Sequence, residues 1–311
     1  MKLISYVLPI HNEYGNIELL HNTLSKVLKE RASDYKFEII YVNDGSTDNS
    51  LSKLQTVLEQ DDRVSIINFA RNFGHQMAVT AGLDNAKGDA VIIMDSDLQD
   101  PPSVSLELIK QWEAGFDVVY AQRRTRKDSL FKRATASTFY WVLQKLAEIQ
   151  IPRDTGDFRL IDRKVVDALN EFREHNRFLR GLVSYVGFKQ TAVLFDRDER
   201  NSGTTSYPLS KMLKFAADGI LSFSAFPLKL MSRIGYLISA LSFIGIIYAI
   251  LVKILDPHTV VPGWTFIVIA ILLVGGMQLI MLGLLGSYIS RIYTESQNRP
   301  LYIIESIKRP K

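Results

Sequence analysis

The sequence predicts an α/β protein with a mostly parallel sheet, joined to two helices that cross a membrane. Over about residues 1–121, short runs rich in Val, Ile and Tyr alternate with segments of helical length and period. Such alternation is typical of a parallel sheet covered by helices on both faces. Further along, Ile234–Val252 and Trp264–Ser290 carry no charged residue, and each is long enough to cross a hydrocarbon core of about 30 Å.

The soluble part divides into alternating predicted strands and helices. The predicted strands are Leu3–Ile10, Phe37–Asn43, Val64–Phe69, Ala90–Met94 and Val118–Ala121. The predicted helices between them are Asn16–Glu30, Asp48–Glu59, Gln76–Ala86 and Pro102–Ala114. Ligands of such sheets bind outside the carboxyl ends of the strands, so we expect the functional site there.

The two uncharged segments set the predicted domain boundaries. A buried helix of a soluble protein normally keeps a polar stripe, and neither segment has one. Between about residues 207 and 233, apolar residues recur at helical spacing with interspersed lysines, which suits helices lying in the membrane interface. The predicted units are a soluble domain (1–206), interfacial helices (207–233), a two-helix transmembrane domain (234–290) and a cytoplasmic tail (291–311).

Basic residues flanking the two segments predict the orientation in the membrane. Those outside the pair are Lys229, Arg233, Arg291, Arg299, Lys308 and Arg309, and the connecting loop has Lys253 alone. By the positive-inside rule both ends of the chain are cytoplasmic. Because the apolar start of the chain reads as a strand, we expect no signal peptide and a multi-pass protein of the cell membrane.

Composition excludes several classes of protein. With no cysteine, the chain has no disulfide, no cysteine-ligated zinc and no thiol catalysis. A net charge of +4 is too mild to indicate nucleic-acid binding. Five glycines in the apolar segments, Gly245, Gly275, Gly276, Gly283 and Gly286, suit close helix packing in lipid and permit, without requiring, a homo-oligomer.

Polar residues follow four consecutive predicted strands. They lie in the ranges 9–13, 43–48, 70–74 and 95–102. Helix capping accounts for one or two of them, such as Asp48, but not for the whole set. In a parallel sheet these ends meet at one edge, which predicts a ligand site there.

Asp95 and Asp97 directly follow the buried run Val91–Met94. Two carboxylates at the tip of a buried strand repel each other and lose solvation, so a hard divalent cation is expected to neutralise them. Mg²⁺ or Mn²⁺ prefers oxygen ligands and commonly binds one or two carboxylates together with substrate phosphates. Such an ion would neutralise a leaving diphosphate.

In their order along the chain, these strand ends resemble the motifs of glycosyltransferase family 2. The matching motifs are Pro9-x-His11-Asn12-Glu13, Asp44-Gly45-Ser46-x-Asp48, Arg71-Asn72-x-Gly74 and Asp95-x-Asp97-Leu98-Gln99-Asp100-Pro101. Gly156–Leu160, Ser222–Pro227 and the two spans are similar to the polyprenyl-phosphate branch, in particular to its bactoprenol glucosyltransferases. The resemblance implies an A-type, Rossmann-like glycosyltransferase fold for the catalytic domain.

The resemblance also implies residue roles on the donor side. Glu13, Asp44 and Arg71 would contact the base and ribose of a nucleotide-sugar, with Pro9 in the same motif. Asp95 and Asp97 would lie at the sugar and the metal ion, with Gln99 nearby. Arg200 lies in a polar segment, 200–207, that either closes over the diphosphate or is a plain linker. Where the family often has Tyr or Phe, this chain has His11.

On the acceptor side, a lipid phosphate requires cationic groups. Arg123 or Arg124, together with Arg133, are the predicted phosphate ligands; basic runs also form solvated faces or attract anionic lipid headgroups. Asp157, in a predicted loop, resembles the family's acid near the acceptor. It would orient the reactants, position the metal ion or act as a base, against a role limited to helix capping or an ion pair with Arg159.

The function implied is inverting transfer of a hexose, most simply glucose from UDP-glucose, to undecaprenyl phosphate on the cytoplasmic face of the membrane. The product would serve a cell-envelope glycan. GDP-mannose, UDP-N-acetylglucosamine and a UDP-aminoarabinose derivative remain alternative donors. A non-catalytic membrane scaffold is the alternative from another class.

Overall fold

The described part of the chain folds around an eight-stranded mixed sheet, seen here in a computed structural model. The structure describes residues 1–124, 152, 155–196, 226–255 and 263–310. The strands are β1 (Lys2–Ile10), β2 (Tyr35–Asn43), β3 (Val64–Phe69), β4 (Ala90–Ile93), β5 (Val118–Arg123), β6 (Thr155–Asp162), β7 (Gln190–Phe195) and β8 (Ile304–Lys308).

The sheet is mostly parallel, as predicted. Its spatial order is β7-β5-β6-β4-β1-β2-β3-β8. β6 pairs antiparallel with β4 and β5, β8 pairs antiparallel with β3, and the other pairings are parallel. The carboxyl ends of β1 to β5 therefore lie at one edge of the sheet, together with the amino end of β6.

Helices cover both faces of the sheet. They are α1 (Ile17–Lys29), α2 (Ser50–Gln60), α3 (His75–Asn85), α4 (Val104–Glu113), α5 (Arg163–Asn170), α6 (Leu179–Tyr185), α7 (Phe226–Leu255) and α8 (Trp264–Ser296). Alternate side chains of β1 enter two separate apolar clusters: Tyr6 and Leu8 lie in one and Val7 in the other. Both faces of the central strands are thus buried, which explains their nearly continuous apolar sequences.

The segment around Asp157, predicted to be a loop, is the strand β6. Phe158 and Leu160 face one apolar cluster and Ile161 the other. The charged residues Asp157 and Arg159 interrupt the apolar pattern, and both are buried in the structure. These two charges hid the strand from an analysis of the sequence pattern; Asp157 is neutralised by Arg180 and His75, which are distant in sequence.

The predicted tail over 291–311 also requires correction. α8 continues to Ser296, and β8 joins the exposed edge of β3. The ring of Tyr302 stacks on that of Phe69 with centroids 5.1 Å apart. The chain therefore returns to the sheet after the second long helix, because β3 offers an unpaired edge and an aromatic surface beside it.

Among the described residues, two helices are long and apolar enough to cross a membrane, over the stretches Phe226–Gly245 and Leu273–Ser296. Large apolar side chains on them are exposed, among them Phe243 at 65% and Ile280 at 75%. The predicted boundary at residue 233 lies inside α7, which begins at Phe226. Residues 207–225 and the loop 256–262, including their predicted interfacial and connecting roles, lie outside the described residues.

Candidate active site

A cleft of about 550 Å³ opens at the carboxyl ends of β1, β2 and β3. Its lining includes His11, Asn12, Asn43, Ser46, Asn68, Arg71, Asn72 and Glu305. The last of these belongs to β8, on the far side of the two long helices in sequence. Most of the residues that line the cleft are polar, and it lies where the parallel topology predicts a ligand site.

The loops after β2 and β3 are locked together below this cleft. Gly45 has φ of +58°, and a Cβ there would lie 2.3 Å from the backbone carbon of Arg71. The Asp44 carboxylate, 3% exposed, accepts hydrogen bonds from the backbone N–H groups of Phe73 at 2.7 Å and Gly74 at 2.9 Å. Asp44 therefore joins two strand ends, and its expected contact with the nucleotide stays a prediction.

Arg71, predicted at the nucleotide, lines the cleft, and so does His11. The His11 Nδ1 lies 2.9 Å from the carbonyl oxygen of Asp44. The guanidinium of Arg71 lies over the Phe73 ring, 4.0 Å from its centroid, and donates to the carbonyl of Asn72 at 3.0 Å. A flat cation and an imidazole at the mouth of the cleft suit the planar face of a base.

Pro9 and Glu13 lie beside the cleft rather than on its lining. Pro9 is buried in β1 beyond Val7, the last residue that pairs with β4, so its missing N–H leaves that ladder intact. Glu13 accepts from the side-chain amide of Asn16 at 2.5 Å, and its backbone N–H donates to Ser50 at 3.1 Å. These contacts fix the turn into α1.

Asp95, Asp97 and Gln99 occupy the turn after β4. The side chain of Asp97 accepts from the Gln99 backbone N–H at 3.1 Å, and Leu98 between them has φ of +58°. Asp95 is 31% exposed at its side chain, yet its Oδ1 is buried and has no hydrogen-bond partner among the described residues. Burial, with the nearby carboxylates of Asp157, Asp100 and Asp97 adding to it, raises the pKa of Asp95 to about 6.

Asp157 is held beside Asp95 by three side chains. Its Oδ1 accepts from Arg180 Nε at 2.7 Å, and its Oδ2 contacts His75 Nε2 at 3.1 Å and Gln76 Nε2 at 3.4 Å. His75 Nε2 also lies 3.6 Å from the orphaned Oδ1 of Asp95. His75, the first residue of α3, thus lies between the two carboxylates.

Charges decide the protonation states in this cluster. Burial alone would raise the pKa of Asp157, but the charge of Arg180 and the hydrogen bond from His75 hold it well below its usual range. Burial alone would lower the pKa of His75, but the bond to Asp157 and the charge of Asp95 raise it. Asp157 is therefore a firmly ionised, doubly paired carboxylate, which makes it a poor proton acceptor.

The donor set at β4 fits a divalent cation completed by a substrate. No group of three or more His, Asp or Glu side chains within the described ranges is arranged to hold a metal ion alone. Asp95 and Asp97 can supply two carboxylates, and the orphaned oxygen of Asp95 is the kind of atom that a cation would satisfy. Mg²⁺ is commonly bound by one or two carboxylates plus phosphate oxygens.

The predicted acceptor arginines divide between two places. Arg123 ends β5, and its Nη2 lies 3.7 Å from where a Cβ on Gly156 would be, as does the Oδ2 of Asp100. Arg124 is exposed and lies 3.6 Å from Asp196. Arg123 thus reaches the amino end of β6, while Arg124 lies beside Asp196, which directly follows β7. Arg133 and Arg200 lie outside the described residues.

Several site residues were missed by the sequence reasoning. His75 directly follows the motif Arg71-Asn72-x-Gly74, whose extension by one residue would have included it. Asn68 is a polar residue inside the buried run Val64–Phe69, which is a usable signal. Gln76, Arg180 and Glu305 carry no signal in a single sequence, because their roles come from contacts across 81, 23 and 237 residues of chain.

Comparison with known proteins agrees with this geometry. Residues 5–169 match the family described as glycosyl transferase family 2. An uncharacterized glycosyltransferase of Bacillus subtilis (strain 168) is 48% identical, over 97% of this chain and 93% of the relative. A prophage bactoprenol glucosyl transferase homolog of Escherichia coli (strain K12) is 40% identical, over 98% and 99%. The bactoprenol glucosyl transferase of Shigella phage SfV is 39% identical, over 98% and 99%.

Proposed function

The chain belongs to glycosyl transferase family 2, and from that premise we propose that it transfers glucose from UDP-glucose to a polyprenyl phosphate, undecaprenyl phosphate in the first instance. The observation that carries the proposal is the similarity, at about 40% identity over nearly the full length of both chains, to relatives named bactoprenol glucosyl transferase. That similarity extends over the two long apolar helices as well as the catalytic domain.

The donor lies across the strand ends. Its nucleoside occupies the cleft of His11, Asn43 and Arg71, and its diphosphate and sugar extend toward Asp95 and Asp97 after β4. Asp95 and Asp97 would hold Mg²⁺ or Mn²⁺, which when bound neutralises charge that develops on the leaving diphosphate. The orphaned oxygen of Asp95 supports this assignment.

The reaction is a single displacement with inversion. An oxygen of the lipid phosphate attacks the anomeric carbon, the bond from that carbon to the diphosphate oxygen breaks, and the nucleoside diphosphate leaves with the electron pair. A lipid phosphate is already ionised at neutral pH, so no proton has to be removed from the nucleophile. This agrees with Asp157, whose ion pair with Arg180 and bond to His75 favour positioning over general-base catalysis.

The acceptor approaches from the membrane. Arg123, near Gly156 and Asp100 at the reaction end, is a suitable cation for the lipid phosphate. α7 and α8 cross the membrane in opposite directions, since α7 follows the catalytic domain and β8, after α8, pairs again with the sheet of that domain. The basic flanks then place the catalytic domain on the cytoplasmic side.

The test is transfer of radiolabelled sugar to undecaprenyl phosphate by the full chain in detergent with Mg²⁺. UDP-glucose, UDP-N-acetylglucosamine and GDP-mannose are compared in parallel, and the lipid product is treated with an anomer-specific glycosidase. Label in the lipid phase from UDP-glucose alone, in the inverted anomer, is expected.

Transfer from a different donor would retain the reaction class and replace the sugar. Nucleotide binding without transfer from any donor would support a membrane scaffold instead. Loss of transfer on addition of EDTA, with recovery on adding Mg²⁺ or Mn²⁺, is the expected sign of metal dependence. Full activity in EDTA would contradict the roles assigned to Asp95 and Asp97.

A further inference from the structure

We propose that Glu305, on the strand that follows the second long helix, is a positioning residue for the nucleoside part of the donor. This inference deepens the proposed function and rests on it only in taking the cleft as a nucleoside diphosphate site. Glu305 lines the cleft although it is separated from the rest of the lining by more than 230 residues of chain. No motif at the four strand ends includes it.

Glu305 terminates a chain of hydrogen bonds that crosses the ends of three strands. Its Oε2 accepts from Asn68 Nδ2 at 2.5 Å, and Asn68 Oδ1 accepts from Asn43 Nδ2 at 2.6 Å. Asn43 Oδ1 accepts from the Ser46 hydroxyl at 2.6 Å, and the Ser46 oxygen accepts from the backbone N–H of Asn12 at 3.0 Å. Every one of these residues lines the cleft.

The Glu305 carboxylate determines which groups donate and which accept along this series of hydrogen bonds. An ionised Glu only accepts hydrogen bonds, so Asn68 has to present its NH₂ to β8 and its oxygen to Asn43. The same constraint passes to Asn43, whose NH₂ is used by Asn68 and whose oxygen faces Ser46. Without Glu305 the two amides can rotate together by 180°, with Ser46 then accepting from Asn43, and this exchanges donor for acceptor in the cleft. Since a base is read by its donors and acceptors, orientation of these amides is a property that selects the nucleoside.

The orientation of the two amides matters energetically because both side chains are buried. Asn43 is 2% exposed and Asn68 is 5% exposed, so water does not readily replace a missing partner, and an unsatisfied buried amide is costly. Glu305 itself is exposed, so its removal opens little of the core. Its effect is therefore expected on ligand recognition rather than on folding.

The test compares Glu305→Ala and Glu305→Gln in the full chain, with Lys308→Ala as the matched control. Lys308 lies on the same strand, is exposed, and is absent from the cleft lining. For Glu305→Ala we expect UDP affinity, measured by titration calorimetry, to fall about tenfold. The KM for the donor should rise in parallel, with kcat, the KM for the lipid and the melting temperature nearly unchanged.

Glu305→Gln is expected to recover most of the affinity, because its amide oxygen can still accept from Asn68. Lys308→Ala should bind UDP as the unmodified chain does. Equal UDP affinity in the unmodified chain and Glu305→Ala would overturn the inference, as would an equal loss in Lys308→Ala, which would indicate damage to the strand.

The two proposals fail in different ways. Loss of UDP affinity in Glu305→Ala, in a chain that transfers no glucose, would retain the role of Glu305 and refute the proposed reaction. Unchanged UDP affinity in Glu305→Ala, when the unmodified chain does transfer glucose, would retain the proposed reaction and refute the role of Glu305. Absence of both UDP and GDP binding by the unmodified chain would overturn both.

Discussion

The two ends of the cleft neutralise their polar groups in different ways. At the nucleoside end, Asp44 accepts from two backbone N–H groups, and the amides of Asn43 and Asn68 are each bonded on both sides. At the reaction end, Asp157 is paired, but the neighbouring Asp95 keeps a buried oxygen without a hydrogen-bond partner in the described part of the chain. A carboxylate oxygen that is buried without a hydrogen bond opposes folding.

This difference distinguishes groups that fix the shape of the site from groups that can bind a substrate or a metal ion. A carboxylate such as Asp44, whose two oxygens each accept a backbone hydrogen bond, helps to fix the shape of the cleft. An unsatisfied one such as Asp95 can bind something that is not part of the protein. Both look alike in the sequence, as acids at a strand end, and only their partners distinguish them.

The largest effect is expected for Asp95→Asn, which keeps the size of the side chain and removes its charge. Transfer should fall on the order of 10²- to 10³-fold, the usual cost of removing one electrostatic contact at a reacting centre. In EDTA at pH 7, the melting temperature should rise. Because the folded-state pKa of Asp95 is raised to about 6 from 3.8, its charge opposes folding at pH values above that range.

The gain is expected to be about 1 kcal/mol after allowing for partial exposure, or roughly 2–4 °C. It should shrink as the pH falls toward 4, where Asp95 is protonated in the folded state. Asp62→Asn, an exposed acid at the other edge of the sheet, is the control and should change neither property. A fall in melting temperature on Asp95→Asn would mean that the Asp95 carboxylate stabilises the fold, and would contradict its role as an unsatisfied group.

The second effect tests the paired carboxylate of the reaction end. Arg180→Gln leaves the buried Asp157 charge without its closest cation and is expected to cost about 3 kcal/mol of unfolding free energy. That corresponds to a fall of roughly 6–12 °C in melting temperature. The double variant Asp157→Asn/Arg180→Gln should recover much of this stability, since no charge then remains uncompensated, but it should not recover transfer.

Thermal unfolding and the transfer assay on the same preparations distinguish the two contributions. Recovery of transfer together with stability in the double variant would show that Asp157 acts only through the fold. Equal stability of the single and double variants would mean that the uncompensated charge of Asp157 is not what destabilises Arg180→Gln.

The fold of residues 1–121 could be predicted almost entirely because its information is local. Val64–Phe69 is the same in the prediction and the structure, and the ends of the other predicted strands and helices differ by at most two residues. β6 and β8 were missed because contacts with residues distant in sequence stabilise them. Asp157 in β6 accepts a hydrogen bond from Arg180, and Tyr302, just before β8, stacks on Phe69. The same limit applies to the site, where motifs gave Asp95 and Asp97 but not His75, Asn68 or Glu305.

The smallest effect concerns the segment by which the second long helix returns to the sheet. The Tyr302 hydroxyl donates to Asp84 at 2.6 Å, while Asp84 also accepts from Arg173 at 2.8 Å. Tyr302→Phe removes the first bond and keeps both the second bond and the stacking on Phe69. The expected cost is about 1 kcal/mol, or roughly 2–4 °C in melting temperature.

Transfer rate and UDP affinity should be unchanged in Tyr302→Phe, because Asp84 lies on α3 away from the cleft lining. Glu305→Ala changes a residue three positions further along. Comparing the two variants therefore distinguishes, within one short segment, a residue that stabilises the fold from one that affects donor binding. Tyr302 should affect stability alone and Glu305 donor recognition alone. A loss of UDP affinity in Tyr302→Phe would mean that the whole segment, rather than the carboxylate of Glu305, orders the nucleoside end of the cleft.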